Sequence, residues 1–110
     1  MPDQTPVATV LDRVYATICD RRDHATAATS YVKKLLDAAP ASVHAKILEE
    51  AGEVTTATGP DHLAHEVADL WFHTMVLLAA ERVPVERVYE ELARREGTSG
   101  LVEKASRTKG

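Results

Sequence analysis

Two short groups of acidic residues have the types and the spacing that a chemical site requires. Glu50 and Glu53 lie three residues apart in "KILEEAGEV", and Glu66 and Asp69 repeat that spacing in "HEVADLW". Like charges three or four residues apart destabilise a helix by roughly 0.2 to 0.5 kcal/mol per pair, and partial burial adds to that cost. A chain that keeps both pairs is therefore expected to bind a cation or protons between them.

The elements that must position these groups are predicted to be helices, because apolar residues recur with a period near 3.6 and no segment alternates with period two. The fold class is therefore predicted to be all-α. The expected helices run from about Pro6 to Arg22, Ser30 to Ala38, Ser42 to Thr56 and Asp61 to Arg82. Pro84 opens a fifth helix that Gly97 ends, and its apolar residues Val85, Val88 and Leu92 are expected to face inward. Ser42 is expected to cap the third helix and Gly59 to end it.

The third and fourth helices should form an antiparallel hairpin, because the turn near residues 58–60 is short. On the third helix, Glu50 takes the place of a core residue in a stripe that includes Val43, Ile47 and Val54. On the fourth helix, the acidic stripe continues into apolar positions. Both groups of carboxylates are therefore expected to face inward.

The two pairs should also meet at matching heights in the hairpin. A rise of 1.5 Å per residue places Glu53 and Glu66 about 8 to 10 Å from the turn, and Glu50 and Asp69 about 13 to 14 Å from it. Acidic residues at this spacing are common on solvated helix faces, but the second pair interrupts a highly apolar helix. The pattern favours an all-oxygen site for Mg²⁺ or Mn²⁺, which is unlike a zinc site.

Length and composition limit the class of protein. A chain of 110 residues with 45% hydrophobic residues predicts one globular domain, residues 1–110. The net charge of −4 argues against a general nucleic-acid binder. The single cysteine, Cys19, excludes an intramolecular disulfide and is expected to be buried and inert. The longest apolar stretch, residues 67–80, is too short for a membrane span and contains Asp69 and His73. A cytoplasmic protein is predicted.

The acidic constellation resembles the signature of the all-α nucleoside triphosphate pyrophosphatases, the MazG-type superfamily. Within that superfamily, four segments resemble the phosphoribosyl-ATP pyrophosphatase family in the same order along the chain. They are "SYVKKLL", "KILEEAGEV", "EVADLWFHTMVLL" and "RREGTSGLVEKAS". The resemblance runs from about Val10 to Arg107. The acidic signature is specific for the superfamily, and the first and last segments narrow it to the family.

The resemblance implies Mg²⁺-dependent hydrolysis of 1-(5-phosphoribosyl)-ATP to 1-(5-phosphoribosyl)-AMP and diphosphate, the second step of histidine biosynthesis. Glu50, Glu53, Glu66 and Asp69 would hold one or more Mg²⁺ ions against the phosphates. Glu49, one position outside the inner stripe, would orient or deprotonate the attacking water, or contact a further ion.

Basic and hydroxyl groups in the matched segments would bind the rest of this nucleotide substrate. The candidates are Ser30, Tyr31, Lys34, Lys46, Arg94, Arg95, Thr98 and Ser99. A lone lysine or arginine is more often a solvated surface charge. A glycine-rich turn such as "GTSG" can offer backbone N–H groups to phosphate. The tail from about residue 98 to 110 is small and polar, and it is expected to be mobile unless a ligand or a partner subunit orders it.

Two alternatives to this function stay open at the level of sequence. One is a housecleaning pyrophosphatase that acts on dUTP or damaged nucleotides, and the other is a helical bundle that binds metal without catalysis. His73 is expected to be a hydrogen-bonded core residue, and Trp71 and Phe72 core or subunit-interface residues. Because one hairpin offers a limited core, the bundle is expected to be completed by a homodimer or a higher even-numbered oligomer.

Overall fold

The computed structural model describes residues 6–96 of the chain, with side chains from residue 10. These residues form five helices and contain no strand, which confirms the all-α class. In chain order the helices are α1 (Pro6–His24), α2 (Tyr31–Asp37), α3 (Ala41–Thr56), α4 (Pro60–Ala80) and α5 (Glu86–Arg95). None of them combines the length and hydropathy that a membrane span requires.

The predicted hairpin of α3 and α4 is the centre of the fold. α1 packs against α4, and the short α2 fills the angle between α1, α3 and α4. Each of these four helices contributes to one apolar core, and a residue before α5 completes it. The buried residues are Ile18, Val32, Leu35, Val43, Met75, Val76, Ala79 and Val85. The carboxylate-bearing faces of the hairpin are thus held by packing at one end of a continuous core.

Two predicted caps of α3 are wrong. Ser42 lies within α3, and its hydroxyl donates to the Leu35 carbonyl at 2.7 Å, so it satisfies the end of α2 and leaves Pro40 at the N-cap position. Gly59 precedes α4 and does not end α3, which ends at Thr56 with Ala57 as its C-cap. Its φ of +85° is the reason for glycine here, since a side chain at this position would meet no atom within 4 Å.

The end of α4 is a Schellman turn built without glycine. The N–H of Val83 donates to the Leu78 carbonyl at 2.9 Å, and the N–H of Arg82 donates to Ala79 at 3.2 Å. Arg82 takes the left-handed position with a φ of +58°. The predicted helix therefore stops two residues earlier than expected. The guanidinium of Arg22 also donates to the Ala79 carbonyl, at 2.8 Å, and so fixes α1 to this helix end.

Arg82→Gly is expected to raise the free energy of unfolding by about 1 kcal/mol. The left-handed conformation costs an ordinary residue about 1 to 2 kcal/mol, and the greater flexibility of glycine in the unfolded chain offsets part of the gain. Urea denaturation measures the change. Arg13→Gly, in the middle of α1, is the matched control and should lower stability by about 1 kcal/mol. A loss of stability in the Arg82 variant would contradict this description of the turn.

The predicted packing of α5 is only partly correct. Val85, just before the helix, is buried as expected, but Val88 and Leu92 are exposed. The cause is the position of α5 at the edge of the fold, where no other described helix covers its outer apolar face. The helix is tied to α1 by Tyr89, whose hydroxyl donates to the Asp12 carboxylate at 2.8 Å. Burial and this hydrogen bond raise the pKa of Tyr89 to about 12.

Candidate active site

The apolar stripe of α3 that includes Glu50 lies as its periodicity predicts, whereas Glu53, which was also expected to face inward, is exposed because it lies outside that stripe. Val43 and Glu50 are buried, and Ile47 and Val54 are half-buried on the same stripe. Glu50 is only 5% exposed although it is a carboxylate. Its Oε2 atom lies 3.4 Å from the ammonium group of Lys46, one turn earlier on the same helix. The other oxygen, Oε1, is buried and has no hydrogen-bond partner in the described part of the chain.

The facing helix α4 repeats this arrangement. Glu66 is 8% exposed, and its Oε2 atom accepts a hydrogen bond from His62 at 3.2 Å. Its Oε1 atom, like that of Glu50, is buried without a partner among residues 6–96. Asp69, one turn further along α4, is half-buried and lies 3.3 Å from the ring of His65. Each of the two buried glutamates therefore keeps one carboxylate oxygen for a further ligand.

The carboxylates of the two helices converge in two overlapping groups. Glu50, Glu53 and Glu66 each offer an oxygen, and these atoms lie within 4.8 Å of one another. His65, Glu66 and Asp69 form the second group under the same limit, so Glu66 belongs to both. The predicted approach of Glu53 to Glu66 is observed. Glu50, however, joins that pair, and Asp69 lies beside Glu66 and His65.

A cation would satisfy this arrangement. The carboxyl groups of Glu53 and Glu66 lie close enough to share a hydrogen bond, which is the main reason that the pKa of Glu53 is raised; the charge of Glu50 adds to it. Without a cation, the neighbouring carboxylates repel one another and two buried oxygens stay unpaired, and both effects are costly. The set of oxygen donors fits Mg²⁺ or Mn²⁺. The residues present therefore suit the predicted ion.

Two histidines beside the carboxylates were missed at the level of sequence. The backbone N–H of Thr58 donates to Nδ1 of His62 at 3.2 Å, so the ring proton lies on Nε2 and points to Glu66. His65 holds the same position relative to Asp69. The signal was present in "HLAHEVAD", where each histidine precedes an acidic residue by four positions and thus shares its helix face. These rings orient the carboxylates and partly cover them.

His73 is a hydrogen-bonded core residue, as predicted. Its Nδ1 donates to the carbonyl of Asp69 at 2.9 Å, and its Nε2 lies 2.9 Å from the hydroxyl of Tyr31. With the proton on Nδ1, Nε2 accepts from the Tyr31 hydroxyl. Burial raises the pKa of Tyr31, and the charges of Glu50 and neighbouring acids oppose the lowering effect of Lys46. This chain of bonds links the start of α2 to the acidic face of α4.

The predicted substrate-binding residues divide into those near the carboxylates and those elsewhere. Lys46 lies 3.4 Å from both Glu49, which is exposed, and Glu50. Ser30 is the N-cap of α2, where its hydroxyl accepts from the Lys33 N–H at 3.1 Å. Lys34 is exposed on α2.

The remaining predicted contacts lie toward the end of the chain. Arg94 and Arg95 both bind Glu91 on α5 and hold the pKa of that carboxyl group at about 2. Thr98 and Ser99, like the whole tail from residue 98, lie outside the described residues. Cys19 is only partly buried, which corrects the expectation of a buried thiol.

Comparison with known proteins points to one family. A family model described as phosphoribosyl-ATP pyrophosphohydrolase matches residues 11–96. A phosphoribosyl-ATP pyrophosphatase of Neisseria meningitidis serogroup B is 50% identical over 102 residues, which cover 90% of this chain and 94% of the relative. Relatives of the same name from Bordetella parapertussis and Nitrosomonas eutropha are 46% and 41% identical. Their alignments cover 94% of this chain, and 96% and 91% of the relatives respectively.

The helical hairpin with its converging carboxylates, taken together with the names of these relatives, places the chain among the all-α pyrophosphatases, hydrolases of diphosphate bonds. Within that class, the chain belongs to the phosphoribosyl-ATP pyrophosphohydrolase family. The family predicted from the order of the four sequence segments is confirmed.

Proposed function

We propose that this chain hydrolyses 1-(5-phosphoribosyl)-ATP to 1-(5-phosphoribosyl)-AMP and diphosphate in histidine biosynthesis. The observation that carries the proposal is 41 to 50% identity with proteins named phosphoribosyl-ATP pyrophosphatase over 90 to 94% of the chain. The acidic cluster supports the same chemistry, because an enzyme with a net charge of −4 needs a cation to bind a polyanionic nucleotide at carboxylates.

Glu50, Glu53, Glu66 and Asp69 are proposed to hold Mg²⁺, with Mn²⁺ as a substitute. When bound, the metal neutralises charge on the phosphate oxygens and helps to orient the water for attack on phosphorus. The unpaired Oε1 atoms of Glu50 and Glu66 support this role. His62 and His65 hold the outer oxygens of their partners and so restrict the carboxylates to one orientation.

The water-activating role is proposed for Glu49, which is exposed beside the cluster and shares Lys46 with Glu50. A carboxylate in this position can accept a proton from water as the new P–O bond forms. Lys46 lies where it can move from these carboxylates to a phosphate oxygen of the substrate. Ser30, Tyr31 and Lys34 from the start of α2, Arg94 and Arg95 from α5, and Thr98 and Ser99 stay proposed substrate contacts.

Turnover of purified protein with different nucleotides tests the assignment of substrate. Phosphoribosyl-ATP should be hydrolysed to diphosphate much faster than dUTP, ATP or oxidised triphosphates, with Mg²⁺ present. Faster turnover of the ordinary or damaged triphosphates would replace the biosynthetic role with that of a housecleaning enzyme. Metal binding without turnover of any of these nucleotides would show that the protein is a metal-binding helical bundle without catalytic activity.

We also propose that the protein works in the cytoplasm as a homodimer or a higher even-numbered oligomer. Support comes from an apolar groove of about 530 Å³ between α1, α4 and α5. It includes Trp71 and Leu92, which are 53% and 59% exposed in a single chain. Large exposed apolar side chains that share one groove are typical of subunit contacts.

A further inference from the structure

A second cleft, distinct from the acidic cluster, lies between α1 and the start of α2. Its volume is about 680 Å³, which is in the range of small-molecule sites. One wall is a face of α1, the opposite wall is the N-terminal turn of α2 with the residues before it, and Phe72 of α4 closes one side. The polar residues that line it are Arg13, Thr17, Arg21, Thr29, Ser30 and Tyr31.

The charge of this cleft is opposite to that of the acidic cluster. Arg13, Thr17 and Arg21 are spaced by four residues and therefore lie on one face of α1. No carboxylate is among the lining residues. Arg13 has no ion-pair partner in the described part of the chain. Arg21 has a loose pair with Asp20 at 3.7 Å, with both side chains about half exposed, and such a pair contributes little. Two guanidinium groups are thus available to an anion.

Tyr31 lies between the cleft and the acidic cluster. Tyr31 is one of the residues that line the cleft, and its hydroxyl is hydrogen-bonded to His73, which is in turn bonded to the backbone of Asp69. The side chain is half exposed, at 52% for the whole residue. A ligand that crosses Tyr31 would therefore have one end at the carboxylates and the other at the two arginines. An aromatic ring in that position can stack on a nucleobase.

The substrate of the proposed function has the matching distribution of charge. Phosphoribosyl-ATP carries a triphosphate on one ribose and a single phosphate on the second ribose, which is joined to the adenine. We propose that the cleft between α1 and α2 binds this single phosphate, with Arg13 and Arg21 as its charged ligands. Arginine is suited to that role because its planar fork can bind phosphate through two parallel hydrogen bonds.

This inference rests on the proposed function and adds a basis for specificity. ATP shares the triphosphate and the adenine with the proposed substrate, but it lacks the second phosphate. The cleft would therefore favour phosphoribosyl-ATP over ATP without any change at the carboxylates. Arg13 and Arg21 become specificity-determining residues, and neither belongs to the segments that carry the family resemblance in the sequence.

The test is the double variant Arg13→Gln and Arg21→Gln, with both single variants. We expect KM for phosphoribosyl-ATP to rise roughly 10- to 100-fold in the double variant, which is the loss typical of charge-assisted hydrogen bonds to phosphate. The inhibition constant of ATP should stay unchanged, because ATP does not reach the cleft. Arg87→Gln on α5, which removes the same charge outside the cleft, is the matched control and should behave as the wild type.

Calorimetric titration with ribose 5-phosphate tests the cleft without any turnover. Binding to the wild type and to Arg87→Gln, with loss in the double variant, would support the proposal even if phosphoribosyl-ATP proved not to be the substrate. Equal binding to wild type and double variant, or none to either, would overturn it. An equal loss for phosphoribosyl-ATP and ATP would also overturn it, since the arginines would then serve the triphosphate or the fold.

Discussion

Replacing Glu50 by glutamine is expected to lower kcat for diphosphate release by roughly 10²- to 10³-fold while the helical fold is retained. Glutamine has the same size as glutamate, so the stripe of α3 still packs. The change removes the negative charge that the buried Oε1 atom offers to a cation, and a neutral amide is a poor ligand for Mg²⁺. Steady-state assay with phosphoribosyl-ATP and excess Mg²⁺ measures the loss, and circular dichroism measures the helix content.

The same variant should have the opposite effect on stability when metal is absent. In the wild type without metal, Glu50 is a buried carboxylate with one unpaired oxygen beside two further acids. Glutamine removes that repulsion, so in a chelator the variant should be at least as stable as the wild type. Mg²⁺ should raise the Tm of the wild type, because a ligand at 100 times its Kd adds about 2.7 kcal/mol to the free energy of unfolding. It should have little effect on the variant.

Glu90→Gln, an exposed carboxylate on α5, is the control and should change neither activity nor the response to Mg²⁺. Two outcomes would count against the site. Activity near that of the wild type in Glu50→Gln would show that Glu50 holds no catalytic metal. A lower Tm in the chelator, together with lost activity, would show that Glu50 supports the fold through Lys46 and that its charge is needed for packing.

The hairpin and its acidic face could be predicted from the sequence because both depend on local periodicity. Glu50 interrupts an apolar stripe with a period of 3.6, and a carboxylate in that place must face inward wherever the helix packs. The short turn then sets the relative height of the two helices, which brought Glu53 close to Glu66 as expected. Distances along a helix follow from its rise, so this part of the site needed no tertiary information.

The predictions that were wrong or missing concern features that depend on contacts between helices. Ser42 was expected to cap α3 because its type and position suit a cap, but the Leu35 carbonyl at the end of α2 lies close enough to accept a hydrogen bond from its hydroxyl. The position of Asp69 beside His65 depends on side-chain rotamers, which the period of a helix does not determine. The cleft of Arg13 and Arg21 requires the packing of α1 against α2, and no spacing in either segment alone indicates it.

Trp71→Asp is expected to convert the proposed oligomer into monomers of 12.0 kDa. Trp71 lies in the apolar groove between α1, α4 and α5, next to Val88 and Leu92. The apolar face of α5 was predicted to face the core, yet within one chain it is open to solvent. A second copy that covers the groove would bury these side chains, whereas a buried, unpaired aspartate would oppose association by several kcal/mol. Light scattering measures the mass, and the Tm of the wild type should rise with protein concentration.

Two further variants separate loss of association from loss of folding. Trp71→Phe keeps an aromatic side chain in the groove and should stay oligomeric. Leu92→Asp changes a residue that is 59% exposed in the single chain, so it cannot remove the monomer's own core, and it should also yield monomers. A helical, monomeric Leu92→Asp protein would identify the groove as the subunit contact. A wild type that is monomeric at micromolar concentration, or aspartate variants that stay oligomeric, would show that this groove is not the subunit contact.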